Sequence, residues 1–246
     1  MQFTPDLQPS DLTGINFYNM KEGEFRFRPG PLFADVVLAD EVNRATPRTQ
    51  AALLEAMEER QITVDGDTRP LGERFMVMAT QNPLESYGTF PLPEAQVDRF
   101  FMRLSLGYMA REQELEVLRR RDTVDIISEI GPAVSDADTA WVRASYRQVR
   151  LSDEVAGYLM DLVERTRGDA FACGVSTRGA IALYKAVQAR AALSGRDYAI
   201  PEDIRYVAPF VLAHRITAGA GLRRADAEAR LMGMIDQIPV PVEGAL

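Results

Sequence analysis

The sequence predicts an α/β fold: a sheet-containing first half, about residues 1–107, followed by an all-helical second half, about 108–246. Two observations predict it. Two short apolar runs, Asp35–Asp40 (DVVLAD) and Phe75–Thr80 (FMVMAT), flank a helical segment and end in polar residues, as buried strands of a parallel sheet do. From Met109 onward the apolar residues recur at helical spacing instead.

The elements follow in order. Residues 1–34 are rich in Pro and Gly, but Glu24–Arg28 (EFRFR) alternates like a strand and pairs naturally with Gly14–Tyr18 as a hairpin. After the first apolar strand, Thr46 can cap a helix whose first turn takes Pro47 and whose stripe is Ala51, Leu54, Ala56 and Met57, through Arg60. Gln61–Val64 and Thr68–Leu71 flank Asp65-Gly66, a hairpin turn. Glu94–Arg103 reads as a short helix. In the second half, helices are predicted over Arg111–Arg121, Asp153–Arg167, Thr177–Ser194, Pro201–His214 and Ala225–Ile235. The third of these stops at Gly195, and Asp153–Arg167 carries Val155, Leu159, Leu162 and Val163 on one side.

Composition narrows the function. With 36 acidic and 28 basic residues the formal charge is -8, which argues against a general nucleic-acid or membrane-surface role. The single cysteine, Cys173, allows no internal disulfide. No apolar run approaches the roughly 20 residues of a membrane helix, and the N-terminal segment lacks a signal-peptide pattern, so a cytoplasmic protein is expected. His214, the only histidine, Trp141 and the methionines are expected to pack, and Glu112, Glu114 and Glu116 to form a solvated helix face. Gly219–Gly221 is a turn and not a phosphate loop, since no lysine follows it.

Four features carry chemistry. Asp40 and Glu41 end an apolar strand, and ligands of open parallel sheets gather beyond the carboxyl ends of strands. A carboxylate there can hold Mg²⁺, the role for Asp40, while its neighbour Glu41 orients an attacking water. Asn82, at the end of the second apolar strand, can reach a γ-phosphate or that water. Arg99, in Asp98-Arg99, can stabilise phosphoryl charge in a neighbouring subunit. Arg178, opening a helix of the second half, can reach a phosphate. Taken singly, each is also what an acidic strand end, an Asn before Pro83 or a solvated arginine looks like.

Their order and spacing together are more specific. VVLADEVNRATPRTQAALLEAMEERQITVDG resembles the Walker B region of MoxR-type AAA+ ATPases. QFTPDLQPSDLTG before it, ATQNPLESYGTFPLPEAQVDRFFMRL after it, and GVSTRGAIALYKAVQARAAL, which is similar to the sensor 2 helix, extend the likeness through nearly the whole chain. The resemblance implies a partial AAA+ P-loop NTPase core, a parallel sheet with flanking helices, followed by a helical lid domain. It makes Asp40 and Glu41 the Walker B residues, Asn82 sensor 1, Arg99 the arginine finger with Arg103 one turn further along as a second candidate, and Arg178 sensor 2. It marks residues of about 11–32 and 61–74 as hairpins facing substrate or a ring pore. It implies ATP and Mg²⁺, a homo-oligomeric ring, usually a hexamer, and a protein client remodelled for complex maturation or metal-centre insertion, with a von Willebrand factor A-domain protein as partner by family analogy.

The sequence departs from the family in one respect. A P-loop, G-x-x-x-x-G-K-[ST], cradles phosphates with backbone amides and a lysine. Lys21 and Lys185, the only lysines, sit in no such motif. The expectation is an N-terminally truncated reading that lacks a strand, loop and helix, most of a βαβ unit of ~30 or more residues, with weak ATP binding and uncovered apolar surface on the sheet. The alternative is a catalytically dead interaction module that docks on an intact homologue or a client. A DNA-processing ATPase would share the Walker B logic, but the net charge of -8 argues against it.

Overall fold

The computed structural model describes residues 1–82, 88–120, 130–169, 171–217 and 224–241. Pro83, Arg121 and Gly219–Gly221 lie outside the described residues. The chain folds as two compact units, Met1–Phe100 and Phe101–Leu246.

The first unit opens with a short helix α1 (Pro9–Thr13) and the antiparallel hairpin β1 (Gly14–Asn19) and β2 (Glu24–Pro29). Two glycines close its base. A Cβ on Gly30 would stand 2.2 Å from the Leu12 carbonyl oxygen, and one on Gly14, at φ +92°, 2.3 Å from that of Arg28. Strand β3 (Val36–Ala39) pairs in parallel with β6 (Met76–Ala79), Ala39 opposite Ala79. On the other side of β3, Met1–Phe3 runs parallel to its end: Asp40 N–H donates to Met1 at 2.9 Å and Phe3 N–H to Asp40 at 2.8 Å.

Between β3 and β6 come α2 (Pro47–Glu59) and the hairpin β4 (Gln61–Val64) and β5 (Asp67–Pro70). Helix α2 is capped as its sequence predicts: the Thr46 hydroxyl accepts from Thr49 N–H and Pro47 holds the first position. Its buried face is rotated from the predicted stripe. Thr49, Gln50, Leu53, Leu54 and Ala56 face inward, and Ala51 is exposed. Gln50 can be buried because its amide donates to the carbonyls of Val42, Ala45 and Phe90, at 3.3, 3.1 and 2.9 Å.

The apolar strands are buried on one face only, which corrects the expectation of a fully buried pair. Val37 and Ala39 enter the core with Phe3, Leu53 and Ile62, while Val36, Leu38, Met76 and Met78 stay about half exposed on the opposite face. The predicted helix of Glu94–Arg103 also shortens. Helix α3 spans Glu94–Val97, after which Arg99 and Phe100 donate to residues three back, and Arg103 N–H leaves to donate to Phe210 at 2.9 Å.

The second unit contains α4 (Arg111–Arg120), α5 (Asp136–Ser145), α6 (Asp153–Thr166), α7 (Thr177–Leu193), α8 (Pro201–Leu212) and α9 (Arg224–Gln237). Its core joins Leu159, Leu162, Leu183, Ile204, Leu212 and Leu231, and the predicted apolar side of α6 is buried throughout. Each fully buried aliphatic side chain of this kind contributes about 1.5–3 kcal/mol. Asp203 fastens α8: its carboxylate takes two bonds from Arg196, at 2.8 and 2.6 Å, and one from Ile200 N–H at 3.0 Å. That carboxylate holds the Arg196 guanidinium above its ordinary range.

Helix α5 is absent from the sequence reading, although Ser135 and Asp138 form its capping box. Trp141, expected to pack, stands 70% exposed on it, and Met20, Met109 and Met160 are exposed as well. His214 is buried, and the glutamates of α4 are exposed as expected.

Candidate functional site

The end of β3 brings together two of the candidate residues of the first unit, Asp40 and Glu41. The register that sets Ala39 against Ala79 brings Asp40 beside Thr80, and the Thr80 hydroxyl donates to an Asp40 carboxylate oxygen. The same hydroxyl accepts from Glu41 N–H at 2.9 Å, and Val42 N–H donates to the Thr80 carbonyl at 3.0 Å.

Glu41 adopts φ +54° and ψ +48°, in the left-handed region. For a residue with a Cβ that conformation costs on the order of 1–2 kcal/mol, offset here by the bonds of two successive amides to Thr80. The Glu41 carboxylate accepts from Gln2 Nε2 and, at 3.0 Å, from Arg44 Nη1. The loop beyond is fixed by Gln50 and by Phe90 N–H, which donates to the Asn43 carbonyl at 2.6 Å.

The donor set suits one kind of metal. Magnesium keeps much of its water and takes one or two carboxylates together with substrate phosphates. Asp40, half-buried at a strand end with Thr80 on one oxygen, fits as a single such ligand. Among the described residues no group of three or more His, Cys, Asp or Glu could cage a metal alone.

The other candidates are dispersed. Asn82 lies half-buried two residues past Thr80, in the segment that follows β6. Arg99 is tied back to α2, with Nη1 2.7 Å from Glu58 and 3.4 Å from the Leu54 carbonyl, at the edge of a groove lined by Glu55, Glu58 and Glu59. Arg103 is not one helical turn beyond Arg99, because α3 has ended, and it belongs to the second unit. Arg178 is exposed in the first turn of α7, also in the second unit, where Ser176 caps the helix by accepting from Gly179 N–H at 3.1 Å. Buried Arg215 packs close behind: a Cβ on Gly179 would meet it at 2.8 Å.

Thr80, Gln2, Arg44 and Gln50 are the polar partners that sequence reasoning missed. Only Thr80 carried a signal, as the polar residue ending the second apolar run in register with Asp40.

Residues 1–102 match a family described as "ATPase family associated with various cellular activities (AAA)", and residues 164–233 match an AAA lid domain. The protein YeaC of Bacillus subtilis is 47% identical over 99% of this chain and 77% of its own length. The chaperone MoxR1 of Mycobacterium tuberculosis is 37% identical over 88% of this chain, which spans 59% of that chaperone. Protein MoxR of Methylorubrum extorquens is 32% identical over 97% of this chain and 77% of its own. A crystal structure from Cytophaga hutchinsonii superposes with a TM-score of 0.88 at 40% identity, covering 98% of this chain and 77% of that one.

Proposed function

The chain belongs to the MoxR-type AAA+ ATPases, and from that premise we propose that it serves ATP hydrolysis between the subunits of a ring, a hexamer by family analogy, to remodel a protein client. The observation that carries this reading is the Asp40–Glu41–Thr80 arrangement at the carboxyl end of a parallel strand pair. Bound Mg²⁺ would neutralise charge on the phosphates of ATP, and Asp40 is the residue that would hold it. Glu41 orients and polarises the attacking water, Asn82 contacts the γ-phosphate or that water, Arg99 reaches a neighbouring subunit's nucleotide, and Arg178 contacts phosphate from the second unit. The ion pair of Arg99 with Glu58 has to open for that reach. Complex maturation or metal-centre insertion is the kind of client work we propose, with a von Willebrand factor A-domain protein as partner; the name chaperone, borne by the relative MoxR1, supports it.

These 246 residues hold no G-x-x-x-x-G-K-[ST], and we infer that on their own they bind ATP weakly. The same observation supports a second reading, an interaction module that docks on an intact homologue. Mg²⁺-dependent ATP hydrolysis separates the two. It is measured on the chain as it stands and on a version extended at its N-terminus by the strand, P-loop and helix of a relative. Turnover by the extended version alone supports the ATPase. A folded but inactive extended version favours the interaction module.

A further inference from the structure

A groove of about 790 Å³ runs along the second unit between α6, α7 and the tight turn Tyr146–Gln148. Three cations line it from three separate elements: Arg147 on the turn, Arg167 just past α6, and Lys185 on α7. Among the described lining residues there is no carboxylate, although acids outnumber bases in the chain by 36 to 28. Apolar side chains stand between the cations: Met160, Ile181 and Tyr184 are 39%, 52% and 40% exposed.

The cations are set on a braced frame. Buried Gln188 of α7 donates to the carbonyls of Arg147 and Val149, at 3.3 and 2.9 Å, which pins the turn to the helix. Arg167 Nε–H donates to the Val175 carbonyl at 2.9 Å, which anchors its guanidinium at the wall. An open groove between two helices, floored by Met, Ile and Tyr, suits an amphipathic segment better than an enclosed small molecule.

We propose that this groove docks an acidic amphipathic peptide segment of a partner protein, with apolar side chains on Met160, Ile181 and Tyr184 and carboxylates on Arg147, Arg167 and Lys185. Charge complementarity selects the occupant. The inference does not depend on the nucleotide reading, because no residue assigned there lines the groove.

The test uses the full chain and three fluorescein-labelled helical peptides that share one Leu spacing and carry Glu, Gln or Lys at the polar positions. Fluorescence polarisation at low salt is expected to favour the Glu peptide by about tenfold or more, with the preference shrinking as salt rises. Arg147→Glu with Lys185→Glu is expected to reverse the order, and Arg147→Gln with Lys185→Gln to flatten it. Thermal melts confirm that both variants fold. Equal binding of the three peptides, or a preference that survives the charge reversal, overturns the proposal. So does displacement of the Glu peptide by inorganic phosphate at equal concentration, which would mark a small-anion site. Self-association that the charge reversal abolishes overturns it too, by making a second copy the occupant.

Discussion

The Glu41 amide donates to the Thr80 hydroxyl at 2.9 Å, and that hydroxyl donates onward to Asp40. One side chain just past β6 therefore holds the Asp40 carboxylate and the Glu41 backbone together at the end of β3. Thr80 is itself exposed, so Thr80→Val is expected to cost about 1 kcal/mol of stability or less in urea titrations. In a hydrolysing assembly the same change is expected to lower kcat by about tenfold or more, since a tenfold loss needs only ~1.4 kcal/mol at the transition state. Thr80→Ser, which keeps the hydroxyl, is expected to restore most of it. An unchanged kcat for Thr80→Val would remove Thr80 from the site.

Arg99 is half-exposed and paired with Glu58 within its own unit. Glu58→Gln is expected to change stability by no more than about 1 kcal/mol, as partly exposed pairs do. The role in trans proposed for Arg99 has a sharper consequence. Arg99→Ala and Glu41→Gln proteins are each expected to be inactive alone and to regain hydrolysis when mixed, because some interfaces then join an intact Glu41 to an intact Arg99. A mixture that stays inactive, with mixed assemblies verified by native mass spectrometry, would place Arg99 elsewhere in the mechanism.

Val36 and Leu38 lie opposite Met76 and Met78, and all four are between 49% and 51% exposed on one sheet face. A continuous apolar face of this kind binds hydrophobic dyes and drives association. The chain is expected to enhance dye fluorescence and to self-associate at micromolar concentrations. Leu38→Thr with Met78→Thr is expected to reduce both while the fold is kept. Light scattering that shows a monomer for both proteins would count against an open face.

The Ser135 hydroxyl, and then its amide, hold the Asp138 carboxylate below its ordinary value of 3.8. A depressed native pKa contributes stability that is fully present above 3.8 and lost as pH falls through the lower native value. Helix α5 should therefore loosen below pH 3.8, and Trp141, the chain's only tryptophan, reports from that helix. Its fluorescence anisotropy is expected to fall in that window. In Asp138→Ala it is expected to be lower already at neutral pH and flat across the window; an identical profile in both proteins would detach the transition from the cap.

Much of this was legible where local chemistry decides. Thr46 and Pro47 announce α2, Asp65-Gly66 announces its hairpin, and the apolar runs ending at Asp40 and Thr80 announce the parallel pair. What escaped was set by tertiary partners. The inward turn of Gln50 depends on carbonyls 5, 8 and 40 residues away. Helix α3 stops at Val97 although the charged pattern continues, because its last bonds tighten to a spacing of three. Trp141 suggests a core from composition alone, yet α5 leaves it in solvent. At the candidate site, the Asp40-Glu41 pair is visible in the sequence, whereas the left-handed turn at Glu41 and its partners Thr80 and Gln2 required the register between strands.

The most direct test of the central claim is a single-turnover comparison of wild type and Glu41→Gln, both carrying a relative's P-loop unit at the N-terminus. Binding of labelled ATP and release of phosphate are followed in parallel with Mg²⁺. The expected result is nucleotide affinity within a few-fold of wild type and phosphate release slowed by at least about a hundredfold, because removing a water-orienting carboxylate costs the chemical step and not binding. Phosphate release at the wild-type rate from Glu41→Gln would contradict the assignment of the hydrolytic site to the end of β3.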